Sequence, residues 1–291
     1  MSLQPRLEFV QCLNPRGLHR MAYWEWGDAA NDTVVVCVHG LSRQGRDFDT
    51  LARELAPHCR VVCPDVAGRG QSDWLDDPAA YNNFQYVADM VTLLARLDAR
   101  RLMWVGTSMG GLIGLGIASP AQSPIERLVL NDVGPNINAE ALSRIGGYLG
   151  KAPSFGSEEE GADYLRSVSE SFGPHTREEW LALSKPMLKP APSGKRLVMH
   201  YDPKIAIPFA SFSSDALLAG QAMLWKAYDA VHCPTLLLRG AQSDLLSSST
   251  VQEMTTRGPK ARLVEFEGVG HAPTLVAPAQ VSVVREFLLG S

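Results

Sequence analysis

The sequence has few cysteines and no block of basic residues. Its five cysteines are scattered and odd in number, which does not fit a disulfide framework and predicts reduced thiols. Cys59 and Cys63 lie close together, but no second ligand pair follows, so we expect no metal site. The 27 basic and 31 acidic residues nearly balance, and no segment is basic enough to neutralise a phosphate backbone. We therefore expect no nucleic-acid partner.

Long apolar runs are also missing. No stretch reaches the ~18 apolar residues that a membrane-spanning helix needs, and residues 1–10 lack the basic and then apolar order of a secretory signal. These absences predict a cytoplasmic protein without a membrane partner. Its oligomeric state, monomer or homodimer, stays open. The 45% of apolar and 20% of charged residues are typical of a chain that is folded throughout.

Short β-branched runs alternate with amphipathic segments, an order that predicts a mostly parallel sheet with helices on its faces. The predicted strands are 7–13 and 21–26, as an antiparallel pair, then 33–38, 60–64, 102–106, 127–131, 235–239 and 262–267. Strand signals are absent from 135–231, where helical patterns replace them. We therefore predict a core domain, 1–134 and 232–291, interrupted by a helical insertion, 135–231.

Ser108 stands between Gly106 and Gly110, directly after a predicted strand and before an apolar helix. A sharp strand-to-helix turn strains the backbone and exposes the hydroxyl, while the helix N-terminus directs N–H groups at developing negative charge. The same glycines do not form a phosphate loop, because Leu112 follows Gly111 where that loop requires lysine. The pattern predicts Ser108 as the nucleophile of an acyl transfer.

A serine nucleophile needs a base, and the base needs a carboxylate that orients it. His271 follows a predicted strand in a glycine-rich loop and is the predicted base. Asp244, which follows the strand 235–239, is the predicted acid, with Asp132 after 127–131 as the reserve. The backbone N–H groups of Leu41 and Met109 are the predicted oxyanion hole. His39 is interpreted as a buried structural residue.

In this order, the motifs resemble the α/β-hydrolase superfamily, in its branch of cap-bearing esterases and lactonases. The resemblance rests on His39-Gly40, Asp65-x-x-Gly68-x-Gly70-x-Ser72, Gly106-Thr-Ser108-Met-Gly110-Gly111, Asp244 and Gly270-His271. It implies the α/β-hydrolase fold, in which a mostly parallel eight-stranded sheet is flanked by helices and the insertion forms a helical cap. Serine at 108 argues against the related haloalkane dehalogenases and epoxide hydrolases, which carry aspartate there.

The implied cap would select the substrate, and its Tyr201 and Trp225 are candidates for an apolar pocket. Arg43, near the oxyanion turn, and Arg69 could each pair with a substrate carboxylate. Arginines in polar loops more often bind locally, so an acidic substrate is the lesser hypothesis for both.

The predicted function is hydrolysis of a small to medium carboxylic ester, or a related acyl bond, through an acyl-enzyme and without a cofactor. Two alternatives stay open. One is carbon–carbon bond hydrolysis of the ring-cleavage type, although Thr107 stands where those enzymes usually have asparagine. The other is a binding protein of the same fold, although such proteins usually lose a triad residue.

Overall fold

The computed structural model describes residues 4–210 and 214–290, without the side chains of 209, 210 and 214–216. Its strands are β1 Arg6–Asn14, β2 Gly17–Trp26, β3 Thr33–Val38, β4 Arg60–Pro64, β5 Arg101–Thr107, β6 Ile125–Asn131, β7 Ser154–Phe155, β8 Leu188–Pro190, β9 Leu197–Met199, β10 Thr235–Gly240 and β11 Arg262–Phe266. Its helices are α1 Asp49–Leu55, α2 Asn83–Leu97, α3 Met109–Ala118, α4 Ala139–Tyr148, α5 Glu158–Val168, α6 Arg177–Ser184, α7 Ala206–Ala210, α8 Ser214–Asp229, α9 Ser248–Thr256 and α10 Pro278–Leu289.

Eight strands form one sheet in the order β1-β2-β4-β3-β5-β6-β10-β11. β2 runs antiparallel to β1 and β4, and the other neighbouring strands are parallel. The eight predicted strands and the mostly parallel sheet are therefore confirmed. Because β3, β5, β6 and β10 are parallel neighbours, the loops that follow them meet at one edge of the sheet.

Both faces of the sheet are buried, which explains why its central strands are continuously apolar. In β3, Val34 and Val36 contribute to one buried cluster, whereas Val35 and Cys37 contribute to the other. All four side chains are fully buried. The β-branched run in the sequence thus reflects a strand covered by helices on both sides.

α2 is an amphipathic helix with a distinct residue at each end. Asn82 caps its start, where the side chain accepts a hydrogen bond from the backbone N–H of Gln85 at 3.0 Å. Met90, Leu93 and Leu97 are buried at helical spacing. Asp98 follows in a left-handed conformation, with φ of 48°, and ends the helix.

The segment between β6 and β10 contains α4 to α8 and also a small antiparallel sheet in the order β7-β9-β8. The sequence analysis expected only helices there, because strands of two or three residues are too short to show alternation. The small sheet is bound to the core, since the backbone N–H of Gly70 donates to the oxygen of His200 at 3.0 Å. Among the described residues, the helices are all too short or too polar to cross a membrane.

The first turn of α3 packs against β3 so closely that a Cβ at Gly110 would overlap the carbonyl oxygen of Val38. We expect Gly110→Ala to lower the free energy of unfolding by at least about 2 kcal/mol, because the backbone of α3 or of β3 would have to shift. Gly147→Ala is the matched control, since Gly147 is an exposed helical glycine with no atom within 4 Å of such a Cβ. Alanine there should be neutral or stabilising by about 0.5–1 kcal/mol. Urea unfolding followed by circular dichroism measures both, and equal stabilities would contradict the close packing.

Candidate active site

Ser108 occupies a strained turn between β5 and α3. Its φ of 51° and ψ of −116° lie in a region that residues with a side chain rarely adopt. Its backbone N–H donates to the carbonyl oxygen of Asn131 at 3.0 Å, which ties the turn to β6. Gly106 is required beside it, because a Cβ there would overlap the backbone of Gly110. The predicted strand-to-helix turn at Ser108 is therefore present.

The side chain of His271 lies between Ser108 and Asp132. Its Nε2 is 3.0 Å from the Oγ of Ser108, and its Nδ1 is 2.7 Å from an oxygen of Asp132. The His271 side chain is 11% exposed and the Asp132 side chain is fully buried. Both distances are within hydrogen-bond reach, which is the arrangement that a base needs to activate a serine hydroxyl.

The expectation that Asp244 orients His271 is wrong in this structure. Both oxygens of Asp244 accept hydrogen bonds from Arg144, at 2.7 and 2.9 Å. Burial acts to raise the pKa of Asp244, but the hydrogen bonds and charge of Arg144 outweigh it and lower this pKa. The reserve acid, Asp132, takes the position beside His271. Since β6 and β10 are neighbours in the sheet, the acids that follow them reach the same edge, and the sequence alone favoured the wrong one.

Three donors surround the carboxylate of Asp132. The backbone N–H of Gly240 donates at 2.9 Å and the hydroxyl of Ser243 at 2.6 Å, while His271 occupies the third direction. The backbone N–H of Asp132 donates in turn to the oxygen of Leu238. A buried carboxylate needs such partners, and they hold it 2.7 Å from the Nδ1 of His271.

The loop after β3 lies directly beside Ser108. A Cβ at Gly40 would be 3.7 Å from the Cβ of Ser108, so the main chain passes close to the hydroxyl. Among the described residues, no acceptor pairs with the backbone N–H of Leu41 or of Met109. These two donors are therefore available to an oxyanion, and their role as its hole stays a prediction.

His39 and Arg69 hold the loop after β3 through hydrogen bonds to its backbone. The Nδ1 of His39 bonds to the oxygen of Gly40 at 2.7 Å, and its Nε2 accepts the backbone N–H of Val66 at 2.9 Å. Burial lowers the pKa of His39 to about 3, so the ring is neutral and structural, as interpreted from the sequence.

Arg69 is fully buried and does not line the space around Ser108. Its Nε donates to the oxygen of Leu41 at 2.8 Å, and its Nη2 is 3.7 Å from the sulfur of Met109. Its Nη1 donates to the hydroxyl of Tyr86 at 2.9 Å. Arg69 therefore binds locally and braces both residues of the predicted oxyanion hole, which no sequence motif indicated.

Two cavities meet at Ser108. The smaller has a volume of about 90 Å³ and is lined by residues that include His271, Arg43, Arg144, Tyr148 and Tyr201. The larger has a volume of about 410 Å³ and is mainly apolar, with Met109, Leu112, Ile137, Leu142 and Leu224 in its wall. Leu41 and Ser108 line both. Of the predicted substrate-binding residues, Arg43 and Tyr201 thus lie at the site.

Trp225, the third predicted substrate-binding residue, lines neither cavity. Its indole N–H donates to the side chain of Asn136 at 2.9 Å, and its ring packs edge-on against Tyr228. The guanidinium of Arg257 lies 4.4 Å from the centroid of this ring. The aromatic character of Trp225 serves packing in α8, which corrects the expectation.

Contacts from the segment between β6 and β10 hold the loop of His271. The hydroxyl of Ser171 donates to the carbonyl oxygen of His271 at 2.5 Å, and the backbone N–H of Gly270 donates to Ser171 at 2.6 Å. From β6, the side chain of Asn131 donates to the oxygen of Pro273 at 2.8 Å. The sequence analysis missed Ser171 and Asn131, because neither belongs to a motif and both act across more than 90 residues.

A possible metal-ligand group lies elsewhere, where Cys12, His19 and Asp89 place ligand atoms within 4.8 Å of one another. Hydrogen bonds account for its arrangement, since the Nε2 of His19 is 3.0 Å from Asp89, which also accepts from Gln85. Burial raises the pKa of Cys12 to about 12, which keeps the thiol protonated and a poor ligand. We assign no metal to this group.

Known proteins resemble this chain over most of its length. The sequence model of the alpha/beta hydrolase family matches residues 35–283. A 3-hydroxybutyrate-oligomer hydrolase from Cupriavidus necator is 53% identical over 100% of both chains. A pimeloyl-[acyl-carrier protein] methyl ester esterase from Pectobacterium atrosepticum is 25% identical over 88% of this chain and 93% of its own. The crystal structure of an alpha/beta hydrolase from Novosphingobium aromaticivorans superposes with a TM-score of 0.85, at 34% identity, over 99% of each chain.

The two candidate acids can be separated by matched amide substitutions. Asp132→Asn should lower kcat on an ester substrate by about 10³ to 10⁴-fold, because an amide cannot stabilise the imidazolium or hold the required tautomer. Asp244→Asn should change kcat by less than about fivefold, since it weakens only an exposed ion pair. Steady-state kinetics on both variants test this assignment, and the reverse ranking would restore Asp244 as the acid.

Proposed function

The chain belongs to the alpha/beta hydrolase family and cleaves ester bonds, and we propose that Ser108, His271 and Asp132 carry the reaction. The observation that supports this triad is the pair of hydrogen bonds from His271, 3.0 Å to the Ser108 hydroxyl and 2.7 Å to Asp132. No other described histidine is bonded to a serine at a helix N-terminus.

In the proposed mechanism, the Oγ of Ser108 attacks the ester carbonyl while the Nε2 of His271 takes its proton. The backbone N–H groups of Leu41 and Met109 donate to the resulting oxyanion. His271 then gives the proton to the alcohol oxygen as the ester C–O bond breaks. Water, activated by the same nitrogen, hydrolyses the acyl-enzyme. Asp132 holds the ring and stabilises its charge in both half-reactions.

We propose short 3-hydroxyalkanoate oligomers, such as those of 3-hydroxybutyrate, as the substrate class. The Cupriavidus necator relative, 53% identical over its whole length, acts on 3-hydroxybutyrate oligomers according to its name. Two cavities of about 90 and 410 Å³ that are both lined by Ser108 suit a chain of a few small units. The serine hydroxyl lies where the cavities meet, so an ester inside such a chain can reach it.

We also propose that residues 135–231 act as a cap on a core formed by 1–134 and 232–291. Ile145 of α4 contributes to the walls of both cavities, and Ser171 binds the loop of His271. A cap with these contacts would exclude bulk water from the reacting groups, which strengthens the hydrogen bonds to the oxyanion.

Turnover of a 3-hydroxybutyrate trimer and of p-nitrophenyl butyrate tests the proposed nucleophile and substrate class. Ser108→Ala should lower kcat on both by at least about 10⁴-fold, because the acyl-enzyme can no longer form. Ser119→Ala, at the other end of α3, is the matched control and should retain full activity.

Comparable activity of the two variants would exclude Ser108 as the nucleophile. If the native enzyme cleaves p-nitrophenyl butyrate and not the trimer, the substrate class is wrong while the serine mechanism stands. Turnover of ring-cleavage diketo acids in place of every ester would favour carbon–carbon bond hydrolysis instead.

A further inference from the structure

Charge differs between the two cavities that meet at Ser108. Among the described residues, the smaller cavity contains two arginines, Arg43 and Arg144, and a single carboxylate, Asp47. The described lining of the larger cavity contains no charged side chain. Because an anion is costly to bury unless it is paired, a substrate with one charged end is expected to place that end in the smaller cavity.

Arg43 is the better placed of the two arginines. It is 8% exposed, and its Nε and Nη2 donate to Asp47 at 2.7 and 2.6 Å. Its Nη2 also donates to the carbonyl oxygen of Leu183 at 2.9 Å. Among the described residues, no acceptor pairs with its Nη1. The guanidinium is thus held rigidly by two groups and keeps a free donor, which preorganises it for a carboxylate.

Arg144 lies nearer to the solvent, with its side chain 40% exposed. Its Nε and Nη2 are bonded to Asp244, and its Nη1 likewise has no acceptor among the described residues. It can add to the positive potential of the smaller cavity. Exposure weakens its electrostatic effect, so the buried Arg43 is the stronger partner for a carboxylate.

The position of His271 indicates which side of the cleaved ester lies in the smaller cavity, beside the two arginines. His271 lines the smaller cavity and not the larger one. Its Nε2 must protonate the departing alcohol oxygen, so the leaving group occupies the smaller cavity. The acyl part then extends into the larger cavity beside Met109 and Leu112. In a hydroxy-acid oligomer, the alcohol side of each ester leads toward the free carboxylate.

We propose that Arg43 binds the terminal carboxylate of the leaving unit, so that the enzyme removes one hydroxy acid at a time from the carboxyl end of the oligomer. The inference rests on ester hydrolysis at Ser108. A cavity of about 90 Å³ accommodates one small unit, while the larger cavity receives the rest of the chain. Each cycle consumes one water, breaks the terminal ester C–O bond and releases the monomer with a proton on its alcohol oxygen.

The direction of cleavage is tested with a 3-hydroxybutyrate trimer that carries ¹³C only in its carboxyl-terminal unit. Mass spectrometry of the first products should show labelled monomer and unlabelled dimer. Labelled dimer with unlabelled monomer, or equal amounts of both sets, would overturn the inference while leaving ester hydrolysis intact. Absence of any hydrolysis of oligomers and simple esters would overturn the proposed function and the inference together.

The role of Arg43 is tested by comparing a free-acid dimer with the same dimer capped as a carboxamide. Arg43→Gln should lower the ratio of kcat/KM for the acid to that for the amide by about 10 to 100-fold, mainly through KM. Arg46→Gln is the matched control, because Arg46 pairs with Asp49 at the start of α1 and lines neither cavity. That variant should leave the ratio unchanged.

The substitution at Arg43 also leaves Asp47 unpaired, which could repel a carboxylate. The double variant Arg43→Gln with Asp47→Asn removes that charge and should show the same loss of preference for the acid. Equal losses on both substrates in the single variant, or a restored preference in the double variant, would overturn the assignment of Arg43.

Discussion

The candidate active site depends on the close approach of α3 to the end of β3. Gly110 allows this approach, since a side chain there would overlap the backbone of Val38. Because the two segments touch, the loop after β3 brings Gly40 and Leu41 against Ser108. The strained backbone of Ser108 is maintained by the same contact and by its hydrogen bond to Asn131. The proposed nucleophile and the donors for its oxyanion are thus positioned by one packing constraint.

The parallel sheet supplies the remaining groups, because the ends of its central strands meet at one edge. Asp132 follows β6, and the loop of His271 follows β11, two strands away in the sheet. Hydrogen bonds from Gly240 and Ser243 fix the carboxylate, and Ser171 fixes the loop of the histidine. Rigid strands therefore set the distances, while contacts between loops set the orientation of each side chain.

The two cavities differ in charge, which gives the site a direction that the triad alone lacks. The smaller cavity combines His271 with Arg43, and the larger one is uncharged along its described lining. This distribution matches a substrate with an anionic leaving group and an uncharged acyl part. It places the residue proposed for specificity, Arg43, in the same loop after β3 as the proposed oxyanion donor Leu41.

Local patterns in the sequence were enough to predict the eight strands and the turn at Ser108, and they gave His271 as the candidate base and Leu41 and Met109 as the candidate oxyanion donors. Each depends on neighbouring residues, such as a β-branched run or glycines on both sides of a serine. The choice between Asp132 and Asp244, the exclusion of Trp225 from the cavities, the short strands β7 to β9 and the contact of Ser171 with His271 were decided only by the tertiary structure. They depend on which distant segments pack together, and the spacing of residues along the chain does not specify those contacts.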